Sequence, residues 1–414
     1  MKIVIMAGGK GTRISSIASD IPKPMIRIGN KPVLQLEIES LKRQGFNDFL
    51  ITISHLGHVI TNYFGDGSDF GVKIEYYNEE VPLGNAGALF QIKDKLNEDF
   101  LLINGDVLFD IDVNRFVEYH KEKGGLVTLF THPNSHPYDS GLIIADKKLC
   151  VTKWLNKEDE RPEFYKNRVN AGIHIISPDV LNQKIEKEKV DLDRDLLKPL
   201  CGTGKMFAYD SSEYVKDMGT PERYAQVSND YLSGKVERRS LSHKQKAIFL
   251  DRDGTLNKYV GFLTDIKDFE LLPSVSEAIK AINNSEYLVI VITNQPVVAR
   301  GEVTFEQLDE IHNKMETLLG KDGAYLDAIY FCPHHPHSGY EGEVKELKFD
   351  CDCRKPKPGM FYMAAKDFNI DLSQSFMIGD SDNDMAAGGN AGCKCIRIER
   401  DGDLLSAVKQ AIGE

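Results

Sequence analysis

Short runs of β-branched and aromatic residues alternate along this chain with stretches whose apolar residues recur every three or four positions. These patterns predict strands over residues 2–6, 49–54, 72–77, 100–104, 126–131 and 169–176, with helices such as 33–43 and 114–122 between them. From 231 to 246 the pattern lapses into Ser, Gly, Lys, Arg and His with few apolar residues. A second series follows, with strands over 247–250, 287–293, 328–331, 375–379 and 394–398. Regular alternation of strand and helix marks an α/β architecture. The lapse predicts a linker, so the chain divides into a domain over 1–232, a linker over 233–245 and a domain over 246–414.

The 414-residue length agrees with that division, since single cores rarely grow beyond about 250–300 residues. At 41% hydrophobic and 28% charged residues, the composition is that of an ordinary globular protein. A formal net charge of −12 argues against a nucleic-acid partner, which wants a basic stripe. Anionic small molecules remain open, because local Lys and Arg can dominate a cleft. No apolar run approaches the ~18 residues of a membrane span. The run 3–7 is too short for a signal-peptide core and leads straight into glycines. The expected setting is the cytoplasm, with no membrane partner; homo-oligomerisation is left open. Of seven cysteines, Cys332, Cys351 and Cys353 lie close to one another and to histidines, which in a reducing compartment points to metal rather than disulfides. The other four, Cys150, Cys201, Cys393 and Cys395, are expected to pack as small hydrophobes.

Candidate chemistry gathers at predicted strand ends. Met6-Ala7-Gly8-Gly9-Lys10-Gly11-Thr12-Arg13 follows the first strand, where glycines let backbone N–H groups approach phosphate oxygens. Lys10 and Arg13 add charge, and arginine offers a bidentate fork. The spacing is neither a Walker A loop nor Gly-x-Gly-x-x-Gly. Lys23 stands between Pro22 and Pro24, a stiff mount for one cation. Pro82-Leu83-Gly84-Asn85-Ala86-Gly87 opens a helix, Asn104-Gly105-Asp106 ends an apolar strand, and Asp217-Met218-Gly219-Thr220 precedes a turn.

In this order the five motifs resemble the sugar-phosphate nucleotidylyltransferases over about residues 1–232. The resemblance implies a Rossmann-like domain that joins a nucleoside triphosphate to a sugar 1-phosphate and releases pyrophosphate. It implies that Gly8, Gly9, Gly11 and Arg13 cradle the triphosphate, with Lys23 on the phosphates near the reacting centre. It further assigns Glu79 and Gly84 to the base, and Asp106 and Asp217 to Mg²⁺. Mg²⁺, Arg13 and Lys23 would offset the negative charge that phosphoryl transfer concentrates. The family's usual Glu-Lys-Pro reads Asn156-Lys157-Glu158 here, leaving Lys157 to meet the sugar phosphate. The segment 191–200, similar to one in guanylyltransferases of heptose and mannose 1-phosphate, reads on its residues alone as an N-capped helix with surface charges.

In the second half, Asp251-Arg252-Asp253-Gly254-Thr255 follows the strand 247–250. Carboxylates at i and i+2 of an extended strand end point the same way, so one can attack phosphorus while the other handles protons. Thr293-Asn294-Gln295, Arg354-Lys355-Pro356 and Gly379-Asp380-Ser381-Asp382-Asn383-Asp384 supply a hydroxyl, cations and further carboxylates. This order is similar to the haloacid-dehalogenase-type phosphatases over about 245–414, a second Rossmann-like domain. The resemblance makes Asp251 the nucleophile and Asp253 the general acid/base. Thr293, Asn294, Arg354 and Lys355 become substrate-binding residues, with Thr293 and Lys355 on the phosphoryl group. It places Mg²⁺ on Asp251, Asp253 (through its carbonyl) and Asp380, with Asp384 supporting.

Cys332-Pro333-His334 and Cys351-Asp352-Cys353 make a Cys₃His set suited to tetrahedral, structural Zn²⁺. His335 and His337 compete as the fourth ligand; the family pattern favours His334. With Ala299-Arg300-Gly301, this zinc loop resembles that of heptose 1,7-bisphosphate phosphatases, and histidinol-phosphate phosphatases share it. Together the two resemblances imply a bifunctional enzyme. It would dephosphorylate a heptose bisphosphate and pass the 1-phosphate to nucleotidyl transfer, with GTP preferred. The alternative is a mannose-1-phosphate guanylyltransferase fused to a phosphatase of another ester, such as histidinol phosphate.

Overall fold

A computed structural model describes residues 1–9, 20–81, 83–183 and 187–414. Lys10, Gly11, Arg13 and Pro82 of the candidate motifs lie outside the described residues. The chain forms two compact units: Met1–His132 with Ile143–Leu155 and Asn170–Ser240, and Pro133–Leu142 with Asn156–Val169 and Leu241–Glu414.

The first unit is built on a nine-stranded sheet. Its main path runs Val151–Leu155, Leu142–Ala145, Val169–Ile176, Phe100–Asn104, Ile3–Met6, Asp48–Ile53 and Lys73–Asn78. The last four of these are parallel, and Val169–Ile176 is antiparallel to Phe100–Asn104. Val127–His132 pairs with both Val169–Ile176 and Met206–Asp210. Ile3 and Ile5 face one core cluster and Val4 the other, as period-2 geometry requires of a strand buried on both faces. In chain order the parallel strands run third, second, first, fourth, so the order reverses between Ile3–Met6 and Phe100–Asn104. Such a reversal opens a crevice at the carboxyl ends of the strands. A separate ribbon pairs Tyr214–Asp217 with Val107–Asp110 and sets Asp217 opposite Val107.

The second unit carries a five-stranded parallel sheet in the order Ala328–Cys332, Tyr287–Asn294, Lys246–Leu250, Phe376–Gly379, Lys394–Arg397. Ile248 and Leu250 enter one core cluster, Ala247 and Phe249 the other. This is again a doubly wound order, reversing between Lys246–Leu250 and Phe376–Gly379. No helix of the described residues is long and apolar enough to cross a membrane.

Two expectations about organisation change. Residues 133–142 and 156–169, assigned by sequence to the first domain, fold with the second unit. There the helix Phe305–Lys321 receives them, through Thr317 and Glu316. The expected linker also holds structure of its own. Lys235–Arg238 is a helical turn whose Val236 packs with Tyr214, Met218 and Val227. Gln245 continues the second unit's backbone pairing, accepting from Asp371 N at 2.8 Å and donating to Asn369 O at 3.0 Å. A polar composition hid this, because its few apolar residues are the ones that pack.

Candidate active sites

At the first unit's crevice, a cavity of about 440 Å³ is lined by residues that include Gly8, Gly9, Lys23, Glu79, Gly84 and Asp106. Lys23 opens a 3-10 turn directly after Pro22, and its Nζ lies 2.9 Å from Asp106 Oδ2. Glu79 Oε1 accepts from Leu83 N at 2.8 Å, while Oε2 faces Gly8, 3.4 Å from where a Cβ there would stand. Gly84 adopts φ +88°, and a Cβ on it would sit 2.4 Å from Val190 O. Only glycine allows the loop to lie this close to its neighbour. Val190 N donates to Leu83 O at 2.8 Å, Ala86 N to Val190 O at 3.0 Å, and Leu192 N to Asn85 Oδ1 at 2.7 Å.

The segment 191–200 is thus a buttress of the pocket loop. Asp191 does cap it, accepting from Arg194 N at 2.8 Å, but Leu192, Leu196, Leu197 and Leu200 are buried in the core. Read for its charges alone, this run looks superficial; its leucines decide its place.

Asp217 reaches the same strand ends through the ribbon, and Met218 N donates to Asp106 O at 3.1 Å. Arg223, which sequence reading passed over, holds Asp217 with Nη1 at 3.0 and 2.9 Å from its two oxygens. Lys157 belongs to the other unit. It is exposed in a turn closed by Asp159 Oδ2 on Asn156 N, 2.7 Å, in the part of the chain that folds with the second unit.

In the second unit, Asp251 follows the strand Lys246–Leu250, and its N–H donates to Ile378 O at 3.1 Å, across the reversal of strand order. Lys355, 3% exposed, lies 2.8 Å from Asp251 and 2.5 Å from the fully buried Asp384. Burial works against the Lys355 charge, but Asp251 and Asp384 outweigh it and raise its pKa. Burial pushes Asp251 up to about 7, opposed by Lys355 and assisted by Asp384. Ligand atoms of Asp251, Asp380 and Asp384 lie within 4.8 Å of one another, an oxygen set that fits a hard divalent cation. Arg400 Nε holds Asp380 at 2.6 Å.

The Asp253 carboxylate points elsewhere. Arg252 donates from Nε and Nη2 at 2.9–3.1 Å, Asn257 Nδ2 at 3.1 Å and Gln295 Nε2 at 2.8 Å. Burial pushes Asp253 up, yet Arg252, Gln295 and Asn257 together hold it below the usual carboxylate range. Thr293 is 1% exposed and its Oγ1 accepts from Gln295 at 2.8 Å. Asn294 uses its amide on the backbone of Lys355, giving to its carbonyl and taking from its N–H, both at 3.0 Å. It therefore pins the loop that carries the lysine.

Cys332, His334, Cys351 and Cys353 converge beside that loop. Their sulfurs stand 3.2–3.4 Å apart, with His334 Nδ1 3.2 Å from Cys353 Sγ. A tetrahedron with metal–sulfur bonds of ~2.3 Å has edges of ~3.8 Å, a small expansion of this cluster. His335 is outside it, its Nδ1 2.9 Å from His337 O. Arg354 Nη1 donates to His334 O at 3.2 Å, joining the cluster to the cationic loop. Sequence reading overlooked Arg252, Asn257 and Arg400. Arg252 is flanked by both aspartates and could have been noticed; Asn257 and Arg400 carry no local signal.

A nucleotidyl transferase family model matches residues 2–234, and a HAD-hydrolase-like model matches residues 352–407. The D-glycero-beta-D-manno-heptose-1,7-bisphosphate 7-phosphatase of Haemophilus ducreyi is 43% identical over 164 residues, which cover 39% of this chain and 87% of that protein. The UTP–glucose-1-phosphate uridylyltransferase of Synechocystis sp. is 32% identical over 252 residues, covering 57% of this chain and 65% of that protein. The mannose-1-phosphate guanylyltransferase of Mycobacterium tuberculosis is 30% identical over 234 residues, covering 56% and 64% respectively. The chain thus spans somewhat less than two thirds of the length of these two transferases.

Proposed function

This chain belongs to the nucleotidyl transferase family through residues 2–234 and, in its second half, to the family of the haloacid-dehalogenase-like heptose-bisphosphate phosphatases; from that double membership we propose that it makes a nucleotide-activated heptose in two steps. The second unit removes the 7-phosphate of D-glycero-D-manno-heptose 1,7-bisphosphate. The first unit transfers a nucleotidyl group, GMP from GTP preferred, to the resulting heptose 1-phosphate and releases pyrophosphate. The observation that carries this reading is the 43% identity to a heptose bisphosphatase within a chain that also matches the nucleotidyl transferase family over residues 2–234. Removing the 7-phosphate leaves a sugar 1-phosphate, the acceptor class of the other half.

In the phosphatase step Asp251 attacks phosphorus, an aspartyl–phosphate bond forms, and the bond to the heptose oxygen breaks. That oxygen takes a proton from Asp253, which later takes one from the water that hydrolyses the aspartyl phosphate. The ionised, fivefold-bonded Asp253 suits the second half-reaction. Acting as an acid requires loosening its bonds to Arg252. Lys355 and Thr293 hold the phosphoryl oxygens, and Arg354 stands on the same loop as Lys355. Mg²⁺ held by Asp251, the Asp253 carbonyl and Asp380, with Asp384 behind, would supply charge neutralisation. Zn²⁺ on Cys332, His334, Cys351 and Cys353 would brace the loop of Arg354 and Lys355.

In the transfer step an oxygen of the sugar 1-phosphate attacks the α-phosphorus and pyrophosphate leaves. Lys23 offsets the charge, and Asp106 and Asp217 would hold a second Mg²⁺. Glu79 supports guanine as the base. Its carboxylate only accepts, and guanine presents two adjacent donors, N1–H and the 2-amino group, whereas adenine presents an acceptor at N1. The mannose-1-phosphate guanylyltransferase relative favours mannose 1-phosphate as a second acceptor.

The test is to incubate the protein with Mg²⁺, each of four NTPs, and heptose 1,7-bisphosphate, heptose 1-phosphate or mannose 1-phosphate. Phosphate, pyrophosphate and GDP-heptose are the expected products. Phosphate release with no nucleotide sugar from any NTP would refute the combined reading. Faster turnover of mannose 1-phosphate would transfer the assignment to the second acceptor.

A further inference from the structure

Residues 156–169 lie as a strap on helix Phe305–Lys321 of the second unit. Tyr165 N donates to Thr317 Oγ1 at 2.8 Å, and that hydroxyl donates back to Tyr165 O at 3.1 Å. Asn167 N donates to Glu316 Oε2 at 2.7 Å, with both residues buried. Asn167 also exchanges bonds with Asn134, donating to its carbonyl at 2.7 Å and accepting from its N–H at 3.1 Å. Arg161 donates to Pro137 O and Ser140 O, both at 2.6 Å. Pro137 seats on Gly320, where an added Cβ would stand 2.8 Å from the proline Cγ. A side chain at 320 would push the strap's companion turn off the helix.

One turn before Glu316 the same helix presents His312, whose Nε2 lies 3.2 Å from Arg252 Nη1. A guanidinium only donates, so Nε2 is the acceptor and the ring is neutral, with its proton on Nδ1. The same guanidinium gives Nε and Nη2 to Asp253. His312 therefore fixes the plane of Arg252, and Arg252 fixes the carboxylate.

We propose that His312 and Arg252 are positioning residues for Asp253, and that the strap holds helix Phe305–Lys321 in the register where His312 meets Arg252. The phosphatase then needs residues 156–169, which lie between strands of the transferase sequence, as well as residues 241–414. This rests on the reading of Asp253 as the acid/base, and the control variant Asp253→Asn checks that separately.

The experiment uses the full-length, metal-replete protein and phenyl phosphate, whose leaving oxygen needs a proton; it does not depend on the natural sugar. His312→Leu removes the acceptor and is expected to lower kcat about 10- to 100-fold, the scale of a small misplacement of a reacting group, with KM within about twofold. His312→Gln restores an acceptor oxygen and should recover most of the loss. Thr317→Val, isosteric and remote from Asp253, and Gly320→Val, which evicts Pro137, should each lower kcat in the same direction, again sparing KM. Zinc content and thermal unfolding of each variant identify misfolding; if His312→Leu misfolds, Thr317→Val and His312→Gln carry the test. Wild-type kcat in His312→Leu would overturn the positioning role. Reduced kcat there with wild-type kcat in both strap variants would overturn the strap's part. Full activity of Asp253→Asn would instead sink the acid/base reading beneath both.

Discussion

Lys23 and Asp106 are 83 positions apart in sequence, yet the lysine ammonium stands 2.9 Å from the aspartate oxygen at the mouth of the first unit's crevice. The prolines on either side of Lys23 restrict its backbone, and Asp106 is delivered by the end of a buried strand. Each partner is therefore set before any phosphate arrives, and the pair balances its own charge meanwhile.

Replacing Lys23 by Met should lower transferase kcat/KM about 100-fold or more, the scale of losing one donor aimed at developing charge. Phosphate release by the same preparation should not change. Parallel measurement of pyrophosphate and phosphate checks this; an equal fall in both would mean lost folding rather than lost chemistry.

Lys355 sits between two buried carboxylates, Asp251 and Asp384. Lys355→Met leaves these unpaired, which costs about 3–5 kcal/mol when one member of a buried ion pair is removed. Phosphatase activity should vanish and the second unit should unfold at lower denaturant. A variant with wild-type unfolding would show that the carboxylates find other partners.

Elemental analysis should find about one zinc per chain, with the Cys353→Ser variant well below that. A zinc-selective chelator, with Mg²⁺ kept in excess for both sites, should cut phosphatase activity more than tenfold and leave pyrophosphate release intact, with recovery on adding zinc. A metal-free protein with full phosphatase activity would contradict the bracing role.

His174 is fully buried in the strand Val169–Ile176, and neither ring nitrogen has a partner among the described residues. Burial holds its pKa down at about 3. The folded ring is neutral, whereas the unfolded chain's imidazole takes a proton near pH 6.5. Stability from this group is complete above about pH 6.5 and is lost as pH falls toward 3, because the unfolded state binds the extra proton. His174→Leu should flatten that loss by up to ~1.4 kcal/mol per pH unit. Urea unfolding at pH 7, 6 and 5 measures it; parallel curves for variant and wild type would exclude His174 as the cause.

The amino-acid sequence by itself determined the α/β class, the two series of strands, and the fact that chemical groups sit where strands end. Those are short-range properties. Buried strands such as Ile3–Met6 and Lys246–Leu250 announce themselves by continuous apolar runs, and a Gly-Gly or Asp-x-Asp turn follows within a few residues. Leu142–Ala145 and Tyr214–Asp217, each four residues long, are strands that the sequence pattern did not single out.

Only the tertiary structure decided which distant groups meet. It set Asp217 beside Val107 through an antiparallel ribbon, gave Asp253 to Arg252, Asn257 and Gln295, and turned Asn294 onto the backbone of Lys355. It also laid residues 156–169 on Phe305–Lys321 and kept exposed Lys157 with the second unit. None of these follows from local pattern. Each depends on strand order and on contacts made across tens to hundreds of residues, where the energy of a few buried hydrogen bonds and packed side chains, rather than periodicity, chooses the partner.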